Sequence, residues 1–255
     1  MRDPGLSNYL PEFSDVFPQS WVLVHSMGKV GSYSVYKSVQ RLKRFRVLHT
    51  HELNLKHVRK MYGDGKLPGH AENSVRFLDE FRDDDTAKII INIREPMSRN
   101  VSAFFENLSH FNVSGESGQN IDELIDIFLS HYPQWTPLNW FRREMLKPLG
   151  IDVLALATPE SRVFTYDRMQ VLVLRTEDDD EETSQRVRNF LGAEDFKLMR
   201  MNVGEEKPYA NLYSEFKAVF SPSSDFLDWI FNADYFRLFY TLEEQAQIRA
   251  EWEAA

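Results

Sequence analysis

With 255 residues, 42% of them hydrophobic and 13% aromatic, the chain has ample material for a large buried core and is too apolar to be disordered. A formal charge of −9 argues against a general nucleic-acid binder, and the absence of Cys excludes disulfides, thiolate zinc sites and a cysteine nucleophile. No window is long and apolar enough to span a bilayer, and the start Met1-Arg2-Asp3-Pro4-Gly5 has no signal-peptide core, so a cytoplasmic location without an integral membrane segment is expected.

Residues 1–20 carry Pro4, Pro11 and Pro18 and read as an irregular arm. The apolar run 21–26 predicts a strand. Residues 32–43 predict a helix with Val35, Tyr36, Val39 and Leu42 on one face. A strand at 45–51, a helix at 53–61, a Gly-rich loop at 62–69 and a helix at 72–81 follow. The run 88–93 predicts a third strand, and 98–108 a helix in which Val101, Phe104, Phe105 and Leu108 recur at helical spacing. The polar stretch 112–119 reads as a mobile loop. Helices are expected at 121–130 and at 138–146, the latter broken by Pro148 and Gly150. Short strands at 162–166 and 171–175 flank the turn Asp167-Arg168, and the remainder is mainly helical, best at 183–191, 212–220 and 242–252. No repeat or linker divides residues 1–255, so one domain is expected. Apolar strands alternating with helices predict an α/β fold with a parallel sheet covered on both faces, and ligands in such sheets bind past the carboxyl ends of the strands.

Charge is unevenly spread. Nine basic residues lie between Lys29 and Lys60, against the single acid Glu52. Most of them suit a solvated helix face, yet the cluster surrounds a turn fit for an anion. The acidic runs at 83–85 and 177–182 are expected as exposed loops or helix starts.

Two strand-to-helix turns carry phosphate-binding residue types. In the first, Gly28 and Gly31 let the backbone curl, Lys29 offers an ammonium, and Ser32, Tyr33 and Ser34 offer hydroxyls at the positive end of a helix. The second places Arg94 at the end of a strand and Ser102 eight residues on, with Pro96 suited to a first helical turn. A guanidinium and a hydroxyl converging on one phosphate make a natural pair. Alternatively, Arg94 pairs with a nearby carboxylate and Ser102 is a surface residue. The nucleotide loop G-x-x-x-x-G-K-[ST] does not occur, since the lysine precedes the second glycine, and this weakens a kinase reading.

Together the turns resemble those of the sulfotransferases that use 3′-phosphoadenosine-5′-phosphosulfate (PAPS). The first reads Lys29-Val30-Gly31-Ser32-Tyr33-Ser34. The second is Arg-Glu-Pro-x-x-Arg-x-x-Ser-x-Phe from Arg94. The later Arg175-Thr176-Glu177-Asp178 fits a strand end of that family. The likeness is strongest to bacterial and carbohydrate members, including proteins described as capsular polysaccharide synthesis proteins. It covers residues 21–110 well and 160–192 more loosely; Tyr33 departs from it where a small Ser or Thr is usual.

The resemblance implies a P-loop-type three-layer α/β fold with a central parallel sheet flanked by helices. It implies PAPS as co-substrate without a metal, and a hydroxyl-bearing acceptor, above all a carbohydrate. Residues Gly28 to Ser34 would hold the 5′-phosphosulfate, with Lys29 at the leaving oxygen. Arg94 and Ser102 would hold the 3′-phosphate, with Arg99 as a further candidate. Lys207 and Tyr209 fall where the family often places a late loop over the nucleotide. The base is expected on or just after the second strand, where His51, Glu52 and His49 are candidates in that order. A neutral His accepts a proton near pH 7, whereas a Glu needs a raised pKa. His25 is expected to be structural, and Trp135, Trp140, Phe141 and Tyr166 are expected in the core rather than stacked on adenine or sugar. Two alternatives stand beside this reading: a P-loop nucleotide kinase, and a non-catalytic nucleotide-binding module on the same fold.

Overall fold

A computed structural model of the chain describes residues 21–63, 65–81, 85–113, 120–201 and 207–254. The expected N-terminal arm, Asp83 and Asp84, and positions 114–119 of the expected polar loop lie outside the described residues. In chain order the elements are β1 (Trp21–His25), α1 (Ser32–Gln40), β2 (Arg46–Thr50), α2 (Leu55–Tyr62), α3 (Gly69–Glu80), β3 (Ala87–Ile93) and α4 (Pro96–Glu106). Then come a 3-10 turn (Leu108–Phe111), α5 (Ile121–Ser130), α6 (Thr136–Phe141), a π turn (Arg142–Leu146), α7 (Lys147–Leu149) and α8 (Val153–Leu156). The chain ends with β4 (Val163–Tyr166), β5 (Met169–Arg175), α9 (Asp180–Leu191), α10 (Ala210–Val219), α11 (Ser224–Phe231), α12 (Asp234–Phe239) and α13 (Leu242–Glu253).

The sheet has the order β2-β1-β3-β5-β4, and the first four strands run parallel. Its interior strands carry apolar residues on both faces along their middle stretches, Val22–Val24, Ile89–Ile91 and Val171–Leu174, because both faces are covered. Trp21, Leu23, Ile89, Ile91, Val171 and Val173 point into the larger core, with Phe77 of α3, Phe104 of α4, Phe128 of α5, Trp140 of α6 and Phe216 of α10. The alternate residues Val22, Val24, Ile90, Leu172 and Leu174 meet Val35 and Val39 of α1 and Val187 and Leu191 of α9 on the other face.

One strand departs from the expected parallel sheet. β4 pairs antiparallel with β5, because the link Asp167-Arg168, with Asp167 left-handed at φ 52°, is far too short for a parallel crossover. The helix expected to be broken by Pro148 and Gly150 passes Pro148 and ends, as expected, at Gly150. It runs through the π turn into α7 and stops at Gly150, whose φ of 72° ends the helical run.

The strand order sets the site. From β1 the chain moves outward to β2 on one side and returns to β3 on the other. The exits of β1 and β3 therefore flank the point where the order reverses, which is where an open α/β sheet leaves a crevice. Both of the turns singled out above stand there.

Candidate functional site

The first turn is set by two left-handed residues, Lys29 at φ 74° and Gly31 at φ 71°. Gly28 is not among them, so the residue expected to curl the backbone is replaced in that role by a lysine. A Cβ at Gly31 would meet Thr176 Cγ2 at 3.9 Å, an ordinary contact, so conformation rather than space demands glycine there. Gly31 is also the N-cap of α1. Among the described residues no side chain caps this helix, and no acid sits in its first turn. Its first N–H groups thus lack a side-chain partner at the positive end of the helix.

The hydroxyls expected to face a ligand are partly committed elsewhere. Ser32 Oγ lies 3.0 Å from His49 Nε2, and Ser34 Oγ accepts the Met201 N–H at 3.0 Å. Tyr33 packs its ring near Tyr36 and His49. Val30 is buried and contributes its carbonyl to the frame.

The second turn is braced by the far end of the chain. Tyr235 donates to the Arg94 carbonyl at 2.9 Å. The Glu95 carboxylate caps α4 by accepting from Met97 and Ser98 N–H at 2.7 and 2.5 Å, and also accepts from Trp252 Nε1 at 3.2 Å. Burial pushes the Glu95 carboxyl up, against these hydrogen bonds and the neighbouring Arg94. Glu177 accepts from the Glu95 N–H at 2.9 Å and from the Tyr240 hydroxyl at 2.7 Å. The Arg94 side chain is half-buried and forms no ion pair among the described residues, contrary to the alternative of a local carboxylate partner. Arg99 differs from expectation. It is buried and donates through Nε to the Gly28 carbonyl at 3.1 Å and through Nη1 to Asn100 Oδ1 at 2.9 Å and to Tyr132 Oη at 3.1 Å, so it ties α4 to the first turn rather than facing solvent.

Thr176, just past β5, joins the turns. Its Oγ1 lies 2.9 Å from the carbonyls of both Val30 and Ile93. Arg175 beside it binds Asp178 at 2.8 Å and Glu244 at 2.8 and 2.9 Å, and Asp178 is buried against Arg162. The acidic run, expected as an exposed loop or a helix start, is a helix start: Asp179 caps α9 and Asp180, Glu181 and Glu182 fill its first turn, while Asp178 just before them is buried.

Lys29, Gly31, Ser32, Tyr33, Ser34, Arg94 and Ser102 line one cleft of about 740 Å³, a size suited to a small-molecule ligand. His51, Thr176, Lys207 and Tyr209 line it as well. Gly28, Val30, Arg99, His49 and Glu52 stand outside the lining. The other basic residues of the 29–60 cluster behave as surface charges: Arg44 pairs with Asp195, Arg46 with Glu80, and Lys37 bonds Gln40.

The three candidate bases occupy different surroundings. His51 Nδ1 lies 2.7 Å from the Ser26 carbonyl, so it carries the hydrogen and leaves the Nε2 lone pair free. Trp140 Nε1 donates to the His51 carbonyl at 3.2 Å. Burial, assisted by His70, lowers the His51 pKa to about 4 and keeps the ring neutral near pH 7. His49 is spoken for by Ser32 and stacks on Tyr36, and burial lowers it to about 3. Among the described residues Glu52 Oε2 has no hydrogen-bond partner, and it lies 3.6 Å from His70 Nε2. Burial, then Glu144, raise its pKa to about 7. His25 is fully buried between the Thr50 hydroxyl and the Trp140 face, as expected of a structural residue. Among the described residues no three such groups converge to hold a metal ion.

Glu144 anchors this region. The π turn aims it inward, where it accepts from Leu53 and Asn54 N–H at 2.7 and 3.0 Å and from Arg143 Nε at 2.5 Å. Trp140 and Phe141 are in the core as expected, but Trp135 and Tyr166 are exposed; Trp135 stacks on the Arg143 guanidinium instead. Sequence reasoning missed Glu106, which no motif marks. It accepts from Lys29 at 3.0 Å, Lys207 at 3.4 Å and Tyr209 at 2.5 Å.

No helix among the described residues is long and apolar enough to cross a membrane. No curated protein and no solved structure matches the chain. Residues 112–241, just over half of the chain, match the model of a family described as "Putative capsular polysaccharide synthesis protein". The matched stretch contains the Arg175–Asp178 junction, Lys207, Tyr209, Tyr235 and Tyr240, which brace or line the cleft, while both turns precede it. The chain belongs to this capsular polysaccharide synthesis family.

Proposed function

We propose that the protein is a sulfotransferase that moves a sulfuryl group from PAPS to a hydroxyl of a carbohydrate, and that the first turn works as a P-loop-type phosphate cradle. The observation that carries this reading is one cleft with two separate anion holders. The uncapped start of α1 with Lys29 stands at the exit of β1, and an Arg94 guanidinium without an ion-pair partner among the described residues stands with Ser102 at the exit of β3. A ligand with phosphate at two places suits such a cleft, and the 3′-phosphate is what distinguishes PAPS from ATP. The family's tie to polysaccharide synthesis supports a carbohydrate acceptor.

Sulfuryl transfer is an in-line displacement. The acceptor oxygen bonds to sulfur while the bond from sulfur to the bridging oxygen of the leaving nucleotide breaks. Lys29 and the first N–H groups of α1 stabilise the charge that grows on that bridging oxygen. His51 takes the acceptor proton on Nε2, its ring oriented by the Ser26 carbonyl. Arg94 and Ser102 hold the 3′-phosphate and so fix the register of the transferred group.

Calorimetry with adenosine 3′,5′-bisphosphate tests the reading: binding is expected, and no affinity at millimolar ligand sinks it. Transfer of label from PAPS to a glycan hydroxyl is the second requirement. Binding without transfer, unaltered when His49, His51 and Glu52 are replaced together, would instead mark a nucleotide-binding module.

A further inference from the structure

Two of the cations that line the cleft, Lys29 and Lys207, are already held by a carboxylate of the protein itself. Lys29 of the first turn, Lys207 and Tyr209 all donate to the carboxylate of Glu106, from positions 77, 101 and 103 residues away in sequence. All three donors line the cleft. Glu106 is the last residue of α4, whose last turn holds no basic side chain. A carboxylate is disfavoured there by the negative end of its own helix, so α4 gains nothing from it. Burial opposes its ionisation, yet the Tyr209 hydroxyl and the two lysines hold its carboxyl down at about 2. The Glu106 side chain is nevertheless 39% exposed, open to exchange with a solute.

We propose that Glu106 is a built-in competitor for the anion of the first turn, a carboxylate that stands where a sulfonate or phosphate oxygen set must enter and that the ligand has to displace. The donors stay gathered in the free protein, and every incoming anion is weakened by the same factor. Free inorganic sulfate, with no second anchor, drops out of the useful range. A ligand also held at Arg94 and Ser102 does not. The ratio of affinities is unchanged, but at low concentration only anions with two points of attachment stay bound. This inference rests on the reading of the cleft as an anion site.

The test compares the full chain with Glu106→Gln, using sodium sulfate and adenosine 3′,5′-bisphosphate in calorimetry and the acetylation rate of Lys29 by mass spectrometry. Glu106→Gln is expected to bind sulfate about tenfold more tightly, to gain a similar factor for the bisphosphate, and to acetylate faster at Lys29. In a Lys29→Met background the gain should shrink to about twofold or less, because the two residues act as a pair. Glu106→Ala provides a second variant, with circular dichroism as the check on folding. Sulfate affinity that is unchanged or weaker in both folded variants overturns the proposal. If sulfate tightens but the bisphosphate binds neither protein, the nucleotide reading falls and the role of Glu106 stands.

Discussion

The two helices that leave the turns begin in opposite ways. α1 starts at Gly31 with no side-chain cap and no acid, so its positive end is open. α4 starts at Glu95, whose own carboxylate fills the N-terminus and is locked by Trp252. An anion can therefore use backbone N–H groups only at the first turn, and at the second it must be held by side chains, Arg94 and Ser102. The first turn suits a group whose charge shifts during reaction, since fixed dipoles need no reorganisation. The second suits static recognition, where a planar guanidinium reads a phosphate by shape.

Substitutions should separate these roles. Lys29→Ala is expected to lower the transfer rate by about 10³ while weakening bisphosphate binding far less, because its charge acts at the leaving oxygen; equal losses in both would erase the distinction. Arg94→Ala is expected to weaken adenosine 3′,5′-bisphosphate by about 10² and to leave adenosine 5′-phosphate nearly unchanged in the same titration. The pH profile of kcat/KM identifies the base between the turns. A base must be unprotonated, so the rate falls as pH drops through its pKa. With His51, near 4, the rate holds down to about pH 5; with Glu52, near 7, it is about 30-fold lower at pH 5.5 than on the plateau. Smallest is Glu95→Ala, which removes the α4 cap and should cost about 1–2 kcal/mol in denaturant unfolding. The corresponding end of α1 has no side-chain cap to lose.

The first turn was readable because strand, turn and helix are contiguous, and a Lys-x-Gly-Ser run shows its chemistry locally. Even there, the sequence pointed to Gly28 for the left-handed bend that Lys29 adopts, since the preference for glycine is only statistical. Arg99 looked available because helical spacing alone does not say which side faces the core; its guanidinium turned inward to the Gly28 carbonyl. The braces of the second turn were not readable. Tyr235 and Trp252 reach Arg94 and Glu95 from 141 and 157 residues away, and nothing local marks them. Glu106 was invisible for the same reason. The exposed ring of Trp135 shows the limit of a composition-based default: its face is covered by Arg143, not by the core.

A π turn is a helix carrying one residue more than its pitch can absorb, and here the surplus falls on Glu144. Deleting a single residue within Arg142–Leu146 would restore regular α-helical winding and swing Glu144 by about 100°. The amides of Leu53 and Asn54, which follow directly on His51 and Glu52, would then lose their acceptor. The alignment of the proposed base is in this sense set by counting. A one-residue change in length, made about ninety positions downstream of the proposed base, should disturb proton transfer without touching the histidine itself.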